Sequence, residues 1–376
     1  MSTPRRSITA LQYYGREDLR LEHRVDLMMS AFKSHTAGSA APTSTNIWEA
    51  RYSPKPGDQN PWTGEKLPVT LGHEMSGVVI QVGSNVHNIP VGSKVAVSPA
   101  LDDRHYDMEP CTTCAMGKRN ICKRFSSYGF SAPGGGFATE IVVRALNCVV
   151  LPDAVSLQVG ALVEPLAVAW HCIRTSGFRK GQKVLLLGAG PIGLAILMLL
   201  RVWGARCAVV SEVTPSRKLL AKQFGADVVV DPLEGSESSD PVLSAVHQAV
   251  GESGVDVAFD ATGLQTTLDT AIAATRPGGT IFNVAIHEKP LQVNLNDLGC
   301  FEKQLTGGMC YTMEDFTGVL KALESGNLPA HKMITSIVPL EQVIEKGFHE
   351  LIHSKASHVK ILVQPQSRVG EVTANL

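Results

Sequence analysis

Neither sign of charge is in excess in this chain. Its 34 lysines and arginines face 35 aspartates and glutamates, a net of −1. That balance removes the electrostatic case for nucleic acid or an anionic membrane surface as a partner. The opening residues, MSTPRRSITALQYY, hold no apolar core, so no secretory leader is expected. Cysteine is scarce. Eight in 376 residues make no disulfide scaffold, and a reducing cytoplasm is the expected home. The longest apolar run, residues 184–200, is broken by Gly188, Gly190, Pro191 and Gly193. Its length would suit a membrane span, but a strand, a turn and a buried helix fit it better. One absence will matter most: no cysteine precedes Cys111.

What is present describes a globular protein, 44% hydrophobic and 18% charged, long enough for two domains. Residues 11–20 read as a strand, a turn and a second strand. Over 24–53 the character changes: HTAGSAAPTSTN is small, polar and without period, and reads as a loop or disordered insert. Order returns at Pro61. Short alternating runs separated by Gly-Ser, Asn and Pro-Val-Gly turns over 72–99 predict a compact, barrel-like β unit.

Within that unit His73 and Glu74 stand side by side in LPVTLGHEMSGV, an imidazole and a carboxylate suited to a borderline metal such as zinc. An adjacent pair of this kind is more often a solvated turn. Cys111, Cys114 and Cys122 follow, in a CxxC-plus-one spacing that suits a structural zinc; a redox CxxC or plain buried thiols are the competing readings. A fourth ligand is needed for a tetrahedral ion, and the residues considered for it are His105 and Asp107. Glu164, inside the apolar ALVEPLAVAWHCI, is costly to bury unless a cation meets it; a carboxylate at a helix start is the equal alternative.

From Gly181 the pattern becomes strand–helix alternation. VLLLGAGPIGLAILMLL is a buried strand, a Gly188–Gly190–Gly193 turn and an apolar helix, and the next strand ends at Glu212. In that context the glycine spacing is a strong dinucleotide signal, with the pyrophosphate at the helix N-terminus. Glu212 is placed to accept ribose hydroxyls and repel a 2′-phosphate, favouring NAD. Helices over 217–224, 241–250 and 264–273 and strands over 227–230, 255–260 and 280–284 complete a doubly wound parallel sheet. The expected domains are 1–164 with 309–376, mostly β, and 165–308, dinucleotide-binding.

Taken in order, TGEKLPVTLGHEMSGVV, the cysteine lobe, GGGFATEIVV, ALVEPLAVAWH, LLLGAGPIGL, FDATG, FEKQLTGGMCY, MITSIVPL and HVKILV resemble the zinc-containing medium-chain alcohol dehydrogenases. The likeness covers nearly the whole chain and is nearest the 2,3-butanediol and sorbitol (polyol) branch. It implies a GroES-like catalytic domain beside a Rossmann NAD-binding domain. It also implies a catalytic zinc held by His73 and Glu74 with Glu164 at or beside it, and a structural zinc on Cys111, Cys114 and Cys122. NAD would be bound by Gly188, Gly190, Ile192, Gly193, Glu212 and Arg217. The implied reaction moves a hydride between a small alcohol or diol and NAD, in a homodimer or homotetramer. Two features depart from the family. Met108 stands where its fourth lobe cysteine would be, and its first zinc ligand, a cysteine in a Cys-Gly-Ile-Cys-Gly-Thr-Asp-Leu-His type segment, has no counterpart. Ser39, Thr43 and His35 are the polar residues nearest that gap, each read as a solvated loop residue. Two rival readings follow: a catalytically impaired NAD-binding relative, and a zinc-independent quinone reductase.

Permitted codons for residues 36–53, read one base out of frame, spell CGICGTDLHEYLGGPIF, and those for 28–35 spell DVRVQVAY. The segment 24–53 therefore reads as frame-shifted.

Overall fold

The computed structural model describes residues 5–15, 18–27, 32–38, 55–234, 240–287 and 289–365. The chain divides into two compact units, Met1–Glu164 with Ile334–Leu376, and Pro165–Met333.

In the first unit the strands Arg5–Gly15 and Asp18–Leu27 form an antiparallel pair, extended by Val69–Thr70. A second sheet runs in the order Cys148–Val150, Lys94–Val97, Glu74–Val79, Phe32–Gly38, Lys360–Gln364 and Ile334–Pro339, with Glu140–Ile141 also on Phe32–Gly38. Leu11, Val69, Met75, Val95, Val97, Ile361 and Val363, from the strands of both sheets, share one core. They alternate with outward residues or come from strands covered on both faces, as β packing requires.

The strand Phe32–Gly38 corrects the expected loop over that part of 24–53. It pairs with Glu74–Val79 (Ala37 opposite Met75, Gly38 opposite Glu74) and with Lys360–Gln364, with one register shift between Ser34 and Thr36. The lane between two core strands presents rows of backbone N–H and C=O groups that need partners. Backbone pairing supplies them whatever the side chains, and tertiary context overrides a weak strand propensity. Residues 39–54, and with them Ser39, Thr43 and most of the segment 24–53 that reads as frame-shifted, lie outside the described residues.

The second unit has a six-stranded parallel sheet in the order Val228–Val230, Cys207–Ser211, Lys183–Leu187, Val255–Asp260, Thr275–Asn283 and Gln304–Gly307. Numbered along the unit this is 3-2-1-4-5-6, the doubly wound order whose reversal lies beside the first strand. Three of its helices, Pro191–Val202, Pro215–Gln223 and Pro241–Val250, begin on a proline. Proline costs nothing at a first helical position, where the missing N–H had no intrahelical partner. Leu185, Leu187, Val209, Val246, Ala258 and Ile281 form the core. The helix Pro191–Val202 is buried without a break from Gly193 to Leu200. Among the described residues no helix is long and apolar enough to cross a membrane.

The chain returns to the first unit at Ile334, not at Met309. The helix Met313–Glu324 stays with the dinucleotide unit because it is bound there. Asp315, fully buried, accepts from His171 Nδ1 at 2.8 Å and Arg174 Nε at 2.6 Å. Gly318 lies so near Trp170 that a Cβ would come within 2.8 Å of the indole.

Candidate metal centre and dinucleotide turn

His73 is held by main chain. Gly72, with φ at +99°, lies against the Gly134–Phe137 stretch: Gly136 N donates to Gly72 O at 2.7 Å and Phe137 N to Leu71 O at 3.0 Å. A Cβ at Gly72 would stand 2.8 Å from Phe137 N. The GHE and GGGF segments thus lock one another, and the interlock aims the imidazole. The His73 ring also packs on Phe130, with centroids 4.4 Å apart.

The next residue, Glu74, opens the strand Glu74–Val79, and Glu164 lies in the first turn of the helix Val163–Thr175. Both carboxylates are buried. One donor atom from each of His73, Glu74 and Glu164 falls within 4.8 Å of the others. Glu164 therefore occupies the helix start and the cluster together. Removal from water pushes the His73 imidazole down to about 4, with Glu74 pulling it up and Lys360 pressing it down. At neutral pH the ring is unprotonated and offers a lone pair, as ligation demands.

Lys360 went unnoticed in the sequence. Its ammonium donates to Glu74 Oε2, and both side chains are almost wholly buried, 286 residues apart. Glu74 keeps its second oxygen. With two carboxylates against one ammonium and a neutral imidazole, the pocket favours a cation, and the nitrogen-plus-oxygen donor set fits zinc. Gly38, the last residue of the neighbouring strand, pairs with Glu74. Glycine offers no metal donor, and no cysteine precedes Cys111, so the set has no thiolate leg.

The cysteine lobe is a second cluster. Cys111 caps the short helix Thr112–Ala115, and Cys114 and Cys122 are buried. Neither residue considered for the fourth position is available. The His105 ring is used by Asn147 Oδ1 at 2.8 Å and by the Asp102 N–H at 2.9 Å. The Asp107 side chain is 86% exposed and faces Arg144. Met108 is exposed as well. The residue that faces the three sulfurs is Asp103, wholly buried and gathered with them within 4.8 Å. Sequence spacing does not reveal it, because it precedes Cys111 by eight residues and arrives through the 3-10 turn Asp103–His105.

In the second unit the glycine turn joins the strand Lys183–Leu187 to the helix Pro191–Val202. A Cβ at Gly193 would stand 2.1 Å from Gly188 O, so only glycine lets the helix approach the strand end. At Gly190, the helix N-cap, a Cβ would meet nothing within 4 Å; that open space is what a pyrophosphate needs. Ile192, half-buried, is in the helix's first turn. Glu212 is buried, and its oxygens accept from Ala189 N and Thr214 N, each at 2.8 Å. The carboxylate braces the glycine turn and retains lone pairs for further donors. Arg217 lies half-buried in the helix Pro215–Gln223 that follows.

Comparison with known proteins finds relatives of both units. A family model described as zinc-binding dehydrogenase matches residues 191–325, and one described as alcohol dehydrogenase GroES-like domain matches residues 36–153. The (R,R)-butanediol dehydrogenase of Saccharomyces cerevisiae is 36% identical over 334 residues, covering 85% of this chain and 86% of that protein. The (R,R)-butanediol dehydrogenase of Bacillus subtilis is 37% identical over 306 residues, covering 81% and 84%. The crystal structure of 2R,3R-butanediol dehydrogenase from Bacillus subtilis matches with a TM-score of 0.84 at 32% identity, covering 96% of this chain and all, 100%, of that one.

Proposed function

The chain belongs to the zinc-binding dehydrogenase family and is an oxidoreductase, and from that premise we propose that it oxidises a secondary alcohol or vicinal diol of the 2,3-butanediol or sorbitol type with NAD. The observation that carries this reading is the convergence of His73, Glu74 and Glu164 within 4.8 Å in the GroES-like domain. The names of the relatives support alcohol and diol chemistry over zinc-independent quinone reduction.

The chain's own residues have separable tasks. His73 offers a neutral nitrogen, Glu74 and Glu164 offer oxygens, and together they would hold zinc. A zinc ion bound there supplies Lewis acidity, lowering the pKa of an alcohol. Lys360 fixes the Glu74 carboxylate in one orientation. The N-terminus of the helix Pro191–Val202 and the open face of Gly190 would take the pyrophosphate, with Ile192 in the same turn, Gly188 and Gly193 shaping the loop, and Arg217 nearby. Glu212 would take ribose hydroxyls, and a 2′-phosphate beside its buried carboxylate would be repelled. A nicotinamide supplies the hydride acceptor.

Steady-state assays on the full-length chain test the assignment. Oxidation of 2,3-butanediol or sorbitol is expected with NAD, and much more weakly with NADP. An equal or greater kcat/KM with NADP would sink the NAD assignment. A chain that reduces quinones with its zinc removed would sink the alcohol reading. The proposal extends to a reducing cytoplasm, in keeping with eight cysteines in 376 residues and no disulfide among them. It also extends to a homodimer or homotetramer. The strand Gln304–Gly307, at a sheet edge with all four residues exposed, supports association, since unpaired edges recruit further strands. Light scattering on the purified chain reads the mass directly. We further propose that residues 24–53 departed from the family by a shift of reading frame; transcript reads across that segment decide it, and the absence of any Cys-Gly-Ile-Cys reading would refute it.

A further inference from the structure

We propose that Asp103 is the fourth ligand of a metal ion held by Cys111, Cys114 and Cys122, giving an S3O site of a kind suited to zinc or cobalt(II).

The distances agree with a tetrahedral ligand set. Zinc–sulfur bonds of about 2.3 Å at tetrahedral angles place two sulfurs about 3.8 Å apart, and a zinc–oxygen bond of about 2.0 Å places oxygen and sulfur about 3.5 Å apart. Cys111 Sγ and Cys122 Sγ are 3.9 Å apart, and Cys122 Sγ and Asp103 Oδ1 are 3.4 Å apart. A disulfide needs a sulfur–sulfur distance near 2.0 Å, so the observed separation is not that of a bond and matches two sulfurs on one ion.

The surroundings are those of a ligand shell. Asp103 is fully buried, and a buried carboxylate requires charge compensation and hydrogen bonds. Arg124 Nη1 donates to Asp103 Oδ1 at 2.5 Å, and the Cys111 N–H donates to Oδ2 at 2.8 Å. Such outer partners orient ligating carboxylates. The sulfurs receive main-chain donors too: Arg124 N lies 3.3 Å from Cys122 Sγ and Lys123 N 3.5 Å from Cys111 Sγ. Three thiolates and a carboxylate around a divalent ion carry two excess negative charges, which the Arg124 guanidinium partly offsets. Asp103 thereby takes the place that Met108 leaves, from the 3-10 turn that precedes Met108 in the chain.

Cobalt substitution in the full-length chain tests this. Thiolate-bound cobalt(II) absorbs by sulfur-to-metal charge transfer, and His73, Glu74 and Glu164 carry no sulfur. The signal therefore reports the lobe whether or not the proposed alcohol-oxidising site works. The expected result is a charge-transfer band in the wild-type chain and a loss of cobalt affinity of at least about tenfold in Asp103→Asn, the scale seen when ligand shells are disturbed. Asp103→Cys should keep the affinity and strengthen the band by about a third, four thiolates replacing three. Should Asp103→Asn not fold, Asp103→Cys decides alone, and a band of unchanged intensity overturns the proposal. So do a wild-type chain without the band, an Asp103→Asn chain of wild-type affinity, or a Cys111–Cys122 disulfide in the freshly purified protein.

Discussion

Two residues show how tertiary partners set the worth of a side chain. Lys360 and Glu74 form an ion pair almost out of reach of water. Removing one member of such a pair leaves a buried charge without its counter-ion, at a cost of about 3–5 kcal/mol. Lys360→Met should lower stability by about that much, read from urea midpoints at constant slope; a change below about 1 kcal/mol would show the pair to be dispensable. Asp315 gives a pH prediction. Burial raises its carboxyl pKa, but hydrogen bonds from His171, Arg174 and the Thr312 N–H outweigh burial and hold it well below the usual range. A carboxyl whose folded pKa lies under its unfolded value of about 3.9 adds stability above that pH and loses it as pH falls. The wild-type chain should therefore lose its stability advantage over Asp315→Asn as pH drops below about 4, and parallel stability curves from neutral pH to 3 would contradict it. Neither residue was legible beforehand. The Asp315 and Lys360 partners come from distant chain segments, and no local spacing encodes such meetings.

At the scale of elements, the dinucleotide unit was readable because each of its signals is local. A buried strand, glycines at fixed offsets, a proline at a helix start and an acidic strand end all fall within one stretch of chain, and the alternation marks five of the six strands; Gln304–Gly307, exposed at the sheet edge, has no apolar run to mark it. The first unit was harder. Its interlocked GHE and GGGF segments were visible only as separate motifs, and Phe32–Gly38 reads as a loop yet forms a central strand because its neighbours offer paired backbone on both sides. The close approaches make predictions. Gly193→Ala places a Cβ 2.1 Å from Gly188 O where no flexible side chain can yield, so the chain should fold with its NAD affinity at least tenfold weaker by fluorescence titration. Unchanged affinity would mean that the turn does not carry the nucleotide. Gly72→Ala combines the +99° φ with a 2.8 Å clash against Phe137 N. It should cost about 1–3 kcal/mol from the backbone conformation alone, measured by thermal or urea unfolding.

For the molecule as a whole, the proposed zinc site is made of nitrogen and oxygen, without the thiolate that the family resemblance of the sequence implies. A set with one soft ligand fewer should hold zinc less firmly. A chain carrying Cys-Gly-Ile-Cys in place of residues 36–39 is accordingly expected to retain metal against chelators longer than the present one. The most direct test adds zinc back to metal-stripped, full-length chain while NADH formation from 2,3-butanediol is followed, in wild type and in His73→Ala. The account predicts no turnover when stripped, turnover that rises and saturates with zinc in the wild type, and none at the same zinc concentrations in His73→Ala. Turnover by the stripped chain, or matching zinc titrations for the two proteins, would contradict it.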